Sequence, residues 1–473
     1  MEIKAKRRFS GYVDMTEGSL FKNIVLFTLP LLLGNLFQQL YNMVDTWVIG
    51  QTGVNGAYAA VGSVGPVTNM LIGFFSGFAT GAGVIISQYY GAKDEEKVRR
   101  AVHTSMALTL VLGVLFTAVG ILLTPTILTW MFATEDGVGE VYPHAKEYLT
   151  IYFSGILALM IYNMGAGILR AVGDSRKPLY FLIVSAVTNT VLDLLFVNVL
   201  GMGVAGVAWA TVISQVLSAV LVLIVLMRTK SVVRFSPKDM KIDMSLLGQI
   251  ALVGFPSALQ LALTAFSNIF VQSYIAHTNG VQEVNLSAWT TYSKIDQFIF
   301  LPMQSLNQTA TTLVGQNLGR GNVRRAKHGT NLCFVSALVI TASLIGVTML
   351  SAPGLAALFN NDAAVVEGAV MLLHTLTPFY MFCCINQIGA GALRGAGNSR
   401  APMIIMLAAF VGLRQVYLYV MSNFISNELL HVGLGYPLGW VSCAVMMFIY
   451  YCTYDFRRGI LTKTEPEEVS DAE

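Results

Sequence analysis

Apolar runs of about 20 residues or more recur along this chain, separated by short connections that alternate between base-rich and nearly base-free. No other feature narrows the fold as much. A helix satisfies all of its backbone hydrogen bonds internally, so a sequence of such runs dictates a helical protein of the lipid bilayer. Of the 473 residues 55% are hydrophobic and 12% are charged, about half the charged fraction of an ordinary soluble domain. Twelve spans are expected, near residues 24–50, 60–90, 101–132, 145–170, 178–199, 204–228, 245–276, 286–317, 329–352, 367–393, 402–424 and 435–456.

The bases test that count. With both termini inside, the inner segments hold 26 of the 29 Lys and Arg, among them Lys4, Arg7, Lys97, Arg100, Arg176, Lys177, Arg324, Arg325, Arg457 and Arg458. The outer connections keep only Lys146, while Lys294 and Arg414 fall within spans. By the positive-inside rule this predicts a multi-pass protein of the cell membrane with both termini cytoplasmic. The bases then serve topology and anionic lipid heads, and nucleic acid is not an expected partner. The first run is too long for a cleaved signal and stays as a span.

A duplication divides the chain. GAGILRAVGDSRKP at Gly165–Pro178 recurs as GAGALRGAGNSRAP at Gly389–Pro402, identical at nine of the fourteen positions. Gln88 and Gly91 likewise correspond to Gln316 and Gly319, Pro30 to Pro256, and Asn42 to Asn268. The copies run the same way through the membrane, as parallel repeats related by an axis along its normal. The fold class expected is all-α integral membrane, with twelve transmembrane helices in two pseudo-symmetric six-helix bundles around a central cavity. The divisions are a cytoplasmic N-terminal segment at 1–23, an N-lobe at 24–228, a cytoplasmic linker at 229–244, a C-lobe at 245–456 and a cytoplasmic tail at 457–473. The repeated motif itself reads as a tight inner turn: Gly173 and Gly397 end a helix, Asp174 and Asn398 cap, and Pro178 and Pro402 suit the next first turn.

Within the spans five residues are ionisable: Asp45, Asp193, Lys294, Asp296 and Arg414. A charge at membrane depth costs about 2.5–3.5 kcal/mol on insertion scales, so each needs a reason. Gln38, Tyr41 and Asp45 share a helix face by their spacing, as do Asn189 and Asp193, and Thr211 lies in the following antiparallel helix at a matching depth. Two carboxylic acids close together in low dielectric can hold a proton, or a small cation such as Na⁺ with help from amide and hydroxyl oxygens. Each acid could instead act singly as interhelical glue. Lys294 and Asp296 are too close in sequence to share a face, whereas Asp296 and Arg414 suit a cross-helix ion pair or a substrate contact. The 21 Met and 26 Phe include residues able to line a cavity for cations of varied shape.

Other signals carry less. GMGVAG at Gly201–Gly206 follows one span and precedes another, with no βαβ unit, and reads as a turn. The chain has no GxxxxGK, HExxH or GxSxG motif, so neither ATP-driven pumping nor hydrolytic chemistry is expected, and no cofactor or enzyme activity. All five cysteines fall in spans of the second half without metal-ligand spacing and read as small core residues.

Taken in order, QQLYNMVDTWVIG at Gln38–Gly50, LRAVGDSRKP, NTVLDLLF, GMGVAGVAWATVIS, VGQNLGRGN and LRGAGNSRAP resemble the multidrug and toxic compound extrusion (MATE) transporters, from about Met15 to Tyr454. The resemblance implies an antiporter that exports cationic, often aromatic, drugs or toxins in exchange for inward H⁺ or Na⁺, by alternating access of two lobes. It is closest to the branch with an N-lobe ion site, which implies coupling roles for Asp45, Tyr41, Asp193, Asn189 and Thr211. Gln38, Asn163, Lys294, Asp296 and Arg414 are the candidates for the substrate cavity. Another branch uses a seventh-helix Glu, which this chain lacks, since Ser245 to Thr278 contains no acid. Small-molecule substrates, the lipid bilayer and function as a monomer are expected; the alternative is a flippase for lipid-linked saccharide or peptidoglycan precursors.

Overall fold

The computed structural model describes residues 12–51, 57–132 and 141–459, and among them every regular element is helical. Twelve helical segments follow in order: α1 Leu20–Gln51, α2 Ala57–Gly91, α3 Glu95–Phe132, α4 Val141–Ser154 with Ile156–Ala171, α5 Arg176–Val199 and α6 Gly203–Arg228. The second half repeats the series as α7 Met244–Ala276, α8 Gln282–Gly319, α9 Val323–Ala357, α10 Ala363–Gly395, α11 Arg400–Ile425 and α12 Leu429–Thr453. The two halves of α4 meet at 48° around Gly155 and make one broken span.

Among the described residues ten of these helices are long and apolar enough to cross a membrane, and α4 counts as an eleventh when its halves are joined. The span expected at 286–317 is present as α8; it is less apolar than the others because its polar side chains meet protein. Thr309 and Thr28 hydroxyls are 2.8 Å apart, Asn35 donates to Ser305 at 3.1 Å, Asn307 donates to Gln387 at 2.7 Å, and Gln39 donates to Gln297. A helix solvated by neighbouring helices need not look hydrophobic.

The helices form two bundles with matching internal packing. α1 lies against α5, α2 against α4, and α4 against α6; correspondingly α7 lies against α11, α8 against α10, and α10 against α12. The bundles meet through α2 with α7 and α8, and through α1 with α8. Between them the connection after Arg228 is folded onto the start of α3: Phe235 packs on His103, and the Ser236 amide donates to His103 Nε2 at 3.2 Å. Asp243 caps α7, accepting from the amides of Ser245 at 3.0 Å and Leu246 at 3.2 Å. Asp243→Ala should cost about 1 kcal/mol of local stability and lower the apparent Tm of the detergent-solubilised protein; an unchanged Tm would mean that the cap is dispensable.

Both copies of the repeated motif form the turn expected of them. Gly173 has φ +91° and Gly397 φ +78°, a left-handed backbone that suits glycine. Asp174 accepts from the Lys177 amide at 3.1 Å, and Asn398 from the Ala401 amide at 3.2 Å. Both turns lie at the base-rich end of the molecule, where the bundles close on each other. Gln88 of α2 donates to the carbonyls of Gly395 and Gly459, both at 3.0 Å, and Gln316 of α8 donates to the carbonyl of Ala171 at 2.8 Å. Gly91 faces the Gln316 carbonyl so closely that a Cβ there would sit 1.9 Å from its oxygen, and Gly319 faces the Gln88 carbonyl at the same spacing. The chain before α1 straps this closure. The Val13 amide donates to Gly173 O at 3.0 Å, the Met15 amide donates to Gln316 Oε1 at 3.1 Å, and Asn317 donates to Met15 O at 3.1 Å.

Among the cysteines, Cys333, Cys383, Cys384 and Cys443 are buried and free. Cys452 is exposed, which corrects its expected place in the core: it lies near the end of α12 on the outer face of the bundle.

Candidate functional site: a carboxyl pair in the first bundle

The spacing of Gln38, Tyr41 and Asp45 lays them along one face of α1, and Asn189 and Asp193 lie on the face of α5 packed against it. The carboxyls of Asp45 and Asp193 face each other between α1 and α5, close enough for the charge on one to act on the other. Two carboxylates offer only acceptors, so a hydrogen bond between them would need a proton on one. Asp45 Oδ1 and both oxygens of Asp193 are buried without a hydrogen-bond partner, and both amide atoms of Asn189 are likewise without one. Asp193 is 0% exposed and Asn189 1%. An unpaired buried polar group costs about 1–3 kcal/mol, so this cluster is held in place by the packing around it. No ion pair joins either acid to a Lys or Arg among the described residues.

Around the pair, Tyr41 lies within electrostatic range of Asp45, on the helix face it shares with Gln38. Thr211 is buried on α6 and donates to the Val207 carbonyl at 3.0 Å, leaving its oxygen able to accept. Three further side chains went unnoticed in the sequence. Tyr148 of α4 lies within electrostatic range of Asp45, Asp193 and Tyr41. It stacks on Tyr152 at a ring separation of 6.1 Å, and Gln215 of α6 lies beside Tyr152 with its Oε1 buried without a partner. Two phenols four residues apart on a broken span were the signal available. Just beyond Asp193 the helix widens into a π-helical stretch, Leu194–Val199, and α11 does the same at Met421–Ile425. Such bulges in a helix often mark functional sites.

The sequence pattern of the MatE family matches this chain twice, at residues 30–195 and at 256–420. The chain belongs to the MatE family. The two matches fall one on each bundle, as the duplication requires. Its relatives include the probable multidrug resistance protein YoeA of Bacillus subtilis, 28% identical over 92% of this chain and 94% of the relative. Another is the probable multidrug resistance protein NorM of Thermotoga maritima, 26% identical over 98% and 99%. Among solved structures, an outward-facing conformation of a multidrug resistance MATE family transporter superposes with a TM-score of 0.87 at 25% identity, covering 96% of this chain and 99% of the other. A MOP superfamily transporter from Pyrococcus furiosus superposes with 0.86 at 25% identity, covering 93% and 97%.

The remaining candidates of this MatE chain lie elsewhere. Asn163 donates within its own helix to the Leu159 carbonyl at 2.9 Å. Lys294, Asp296 and Arg414 belong to the second bundle, and the expected Asp296–Arg414 ion pair is not formed. Arg414 is turned to α7, where it donates to Ser267 Oγ at 2.8 Å and Asn268 Oδ1 at 2.9 Å, with its guanidinium 4.8 Å from the Tyr436 ring centre. Asp296 instead lies within electrostatic range of the Tyr292 and Tyr380 phenols, with its Oδ1 buried without a partner. The helix pairs α1–α5 and α7–α11 are therefore joined at matching places by opposite chemistry, two acids in one bundle and a guanidinium held by an amide and a hydroxyl in the other. Among the described residues no group of three or more His, Cys, Asp or Glu is placed to hold a metal ion.

Proposed function

We propose that this MatE protein is a secondary active exporter of hydrophobic or organic-cation compounds, driven by inward H⁺ or Na⁺ exchanged at Asp45 and Asp193. The observation that carries the reading is the buried proximity of these two acids, on different helices, without a hydrogen-bond donor or a basic partner. With a proton between them the carboxyls hold α1 to α5. Without it they repel, and a Na⁺ ion coordinated by their oxygens, helped by Asn189 Oδ1 and Thr211 Oγ1, would restore the attraction. Ion binding thus biases the packing of α1, and α1 contacts α8 of the other bundle. A ligand that favours one of two packings shifts the equilibrium between them.

Placing the base-rich end in the cytoplasm makes the closed end the inner one, and the conformation described is then the outward-facing state of an alternating-access cycle in the cell membrane. A single chain carries both bundles and the whole carboxyl site, which supports function as a monomer. One observation favours the rival reading, a flippase for lipid-linked anionic precursors: Arg394 and Arg414 are buried in the second bundle without a carboxylate partner.

The deciding experiment is efflux of a fluorescent organic cation from proteoliposomes, with pH and Na⁺ gradients imposed separately. One of the two gradients should drive counterflow. Transport unaffected by either, or movement of a lipid-linked pyrophosphate in place of the cation, would overturn the proposal.

A further inference from the structure

We propose that Lys294 is an anion-recognition residue in the gap between the two bundles, and that the exported compounds carry a carboxylate or similar acid group. The proposal rests on the exporter reading and narrows its substrates to molecules whose apolar or cationic body also bears an anion. Lys294 belongs to α8, about 18 Å along the helix from Gln282. Its ammonium makes no ion pair or hydrogen bond among the described residues. A lone charge at such depth faces a bundle interior or a water-filled cavity, not lipid.

The helix register decides between the two. Three hydrogen bonds join the antiparallel helices α1 and α8: Thr28 with Thr309, Asn35 with Ser305, and Gln39 with Gln297. At about 100° per residue, Gln297, Ser305 and Thr309 mark a strip of α8 about 120° wide that is turned to α1, and Lys294 falls at its middle. One turn further from the base-rich end than the last of these bonds, Lys294 reaches the level of Asn42 and Met43 of α1. Thr290 and Gln297, on the same strip, are exposed and Lys294 is partly so, whereas Trp289, Tyr292 and Ile295 on the other faces are buried in the second bundle. The ammonium therefore stands in the gap between the bundles, where the hydrogen bonds from α1 to α8 stop.

No acid of the protein neutralises this charge. Asp296 lies on the opposite side of α8, and Asp45 and Asp193 lie between α1 and α5. Gln297 accepts from Gln39 through its Oε1, so its amide NH2 remains free one turn from the ammonium on the same face. An ammonium and an amide donor side by side fit one carboxylate, whose two oxygens can accept from both. A cation without an acid group would instead meet a like charge in a gap of reduced dielectric, where repulsion is stronger than in water.

The test is equilibrium binding of two xanthene dyes to the purified full-length protein in detergent, one a zwitterion with a free carboxylate and the other its methyl ester, a plain cation. Fluorescence anisotropy should show the acid bound about tenfold or more tightly than the ester, the scale of one charge-assisted hydrogen bond. Lys294→Gln should bring the acid down to the ester's affinity, and Lys294→Arg should keep the preference. Equal affinities in the wild type, a preference that survives Lys294→Gln, or an equal loss of both dyes in Lys294→Gln and Lys294→Arg would overturn the proposal. The assay needs no ion gradient, so failure of the exporter reading shows up separately, as an acid that binds selectively but is moved by neither gradient in proteoliposomes.

Discussion

Asp45→Asn and Asp193→Asn, singly or together, should abolish the accumulation that an imposed ion gradient supports. A one-for-one H⁺ antiporter converts each pH unit, worth about 1.4 kcal/mol, into about a tenfold substrate gradient. The variants should support none. Asparagine keeps the size and the hydrogen-bonding reach of the side chain but can neither take up nor release the proton, so the loss would report on coupling and not on packing. In the single variants the remaining acid faces an amide donor, which is why even one replacement should suffice. Steady-state distribution of a fluorescent cation in proteoliposomes, measured against the size of the imposed gradient, is the readout. Accumulation that still follows the gradient in both variants would remove these acids from the mechanism. If Na⁺ is the driving ion, the same variants should lose the Na⁺ dependence.

The second large effect concerns the closure. Gly91→Val or Gly319→Val should empty the closed state at the base-rich end. A Cβ at either position would meet a carbonyl oxygen at 1.9 Å, and the obstruction is backbone of the opposite bundle, which cannot turn aside as a side chain could. Overpacking of this kind costs about 1–3 kcal/mol, equivalent to roughly a 5- to 150-fold shift between two states. Spin labels on the base-rich ends of α2 and α8, read by pulsed dipolar spectroscopy, should lose the short-distance population present in the wild type. Because the Gln88 and Gln316 bonds form only across this closure, the variant should also turn over substrate slowly while remaining folded. An unchanged distance distribution would show that the contact yields without cost.

Much of the architecture was legible in the residues. The apolar runs carried the span count, and the paired motifs carried the two bundles and their parallel relation. The motif's glycines also announced the turns they form, because only a left-handed backbone explains glycine there, followed by a capping residue and a proline. The count missed the character of α8. Hydropathy assumes that a spanning helix faces lipid, and α8 faces helices of both bundles. Gln88, Gly91, Gln316 and Gly319 were visible as repeats, but their purpose was not: nothing local says that an amide will reach a carbonyl in the opposite bundle.

The site divides along the same line. Spacing alone placed Tyr41 with Asp45 and Asn189 with Asp193, since a helix brings residues three and four apart to one face. Proximity of the two acids depends on how α1 meets α5, and the addition of Tyr148, Tyr152 and Gln215 depends on α4 and α6. The same reasoning gave the wrong partner for Arg414. By charge it belonged with Asp296; by helix packing it faces α7, and Asp296 is left near two phenols. The chain by itself thus determined which residues share a helix face, because that follows from 3.6 residues per turn. Which faces meet was decided only by tertiary structure, because it depends on the crossing of rods whose surfaces are nearly uniform in hydropathy.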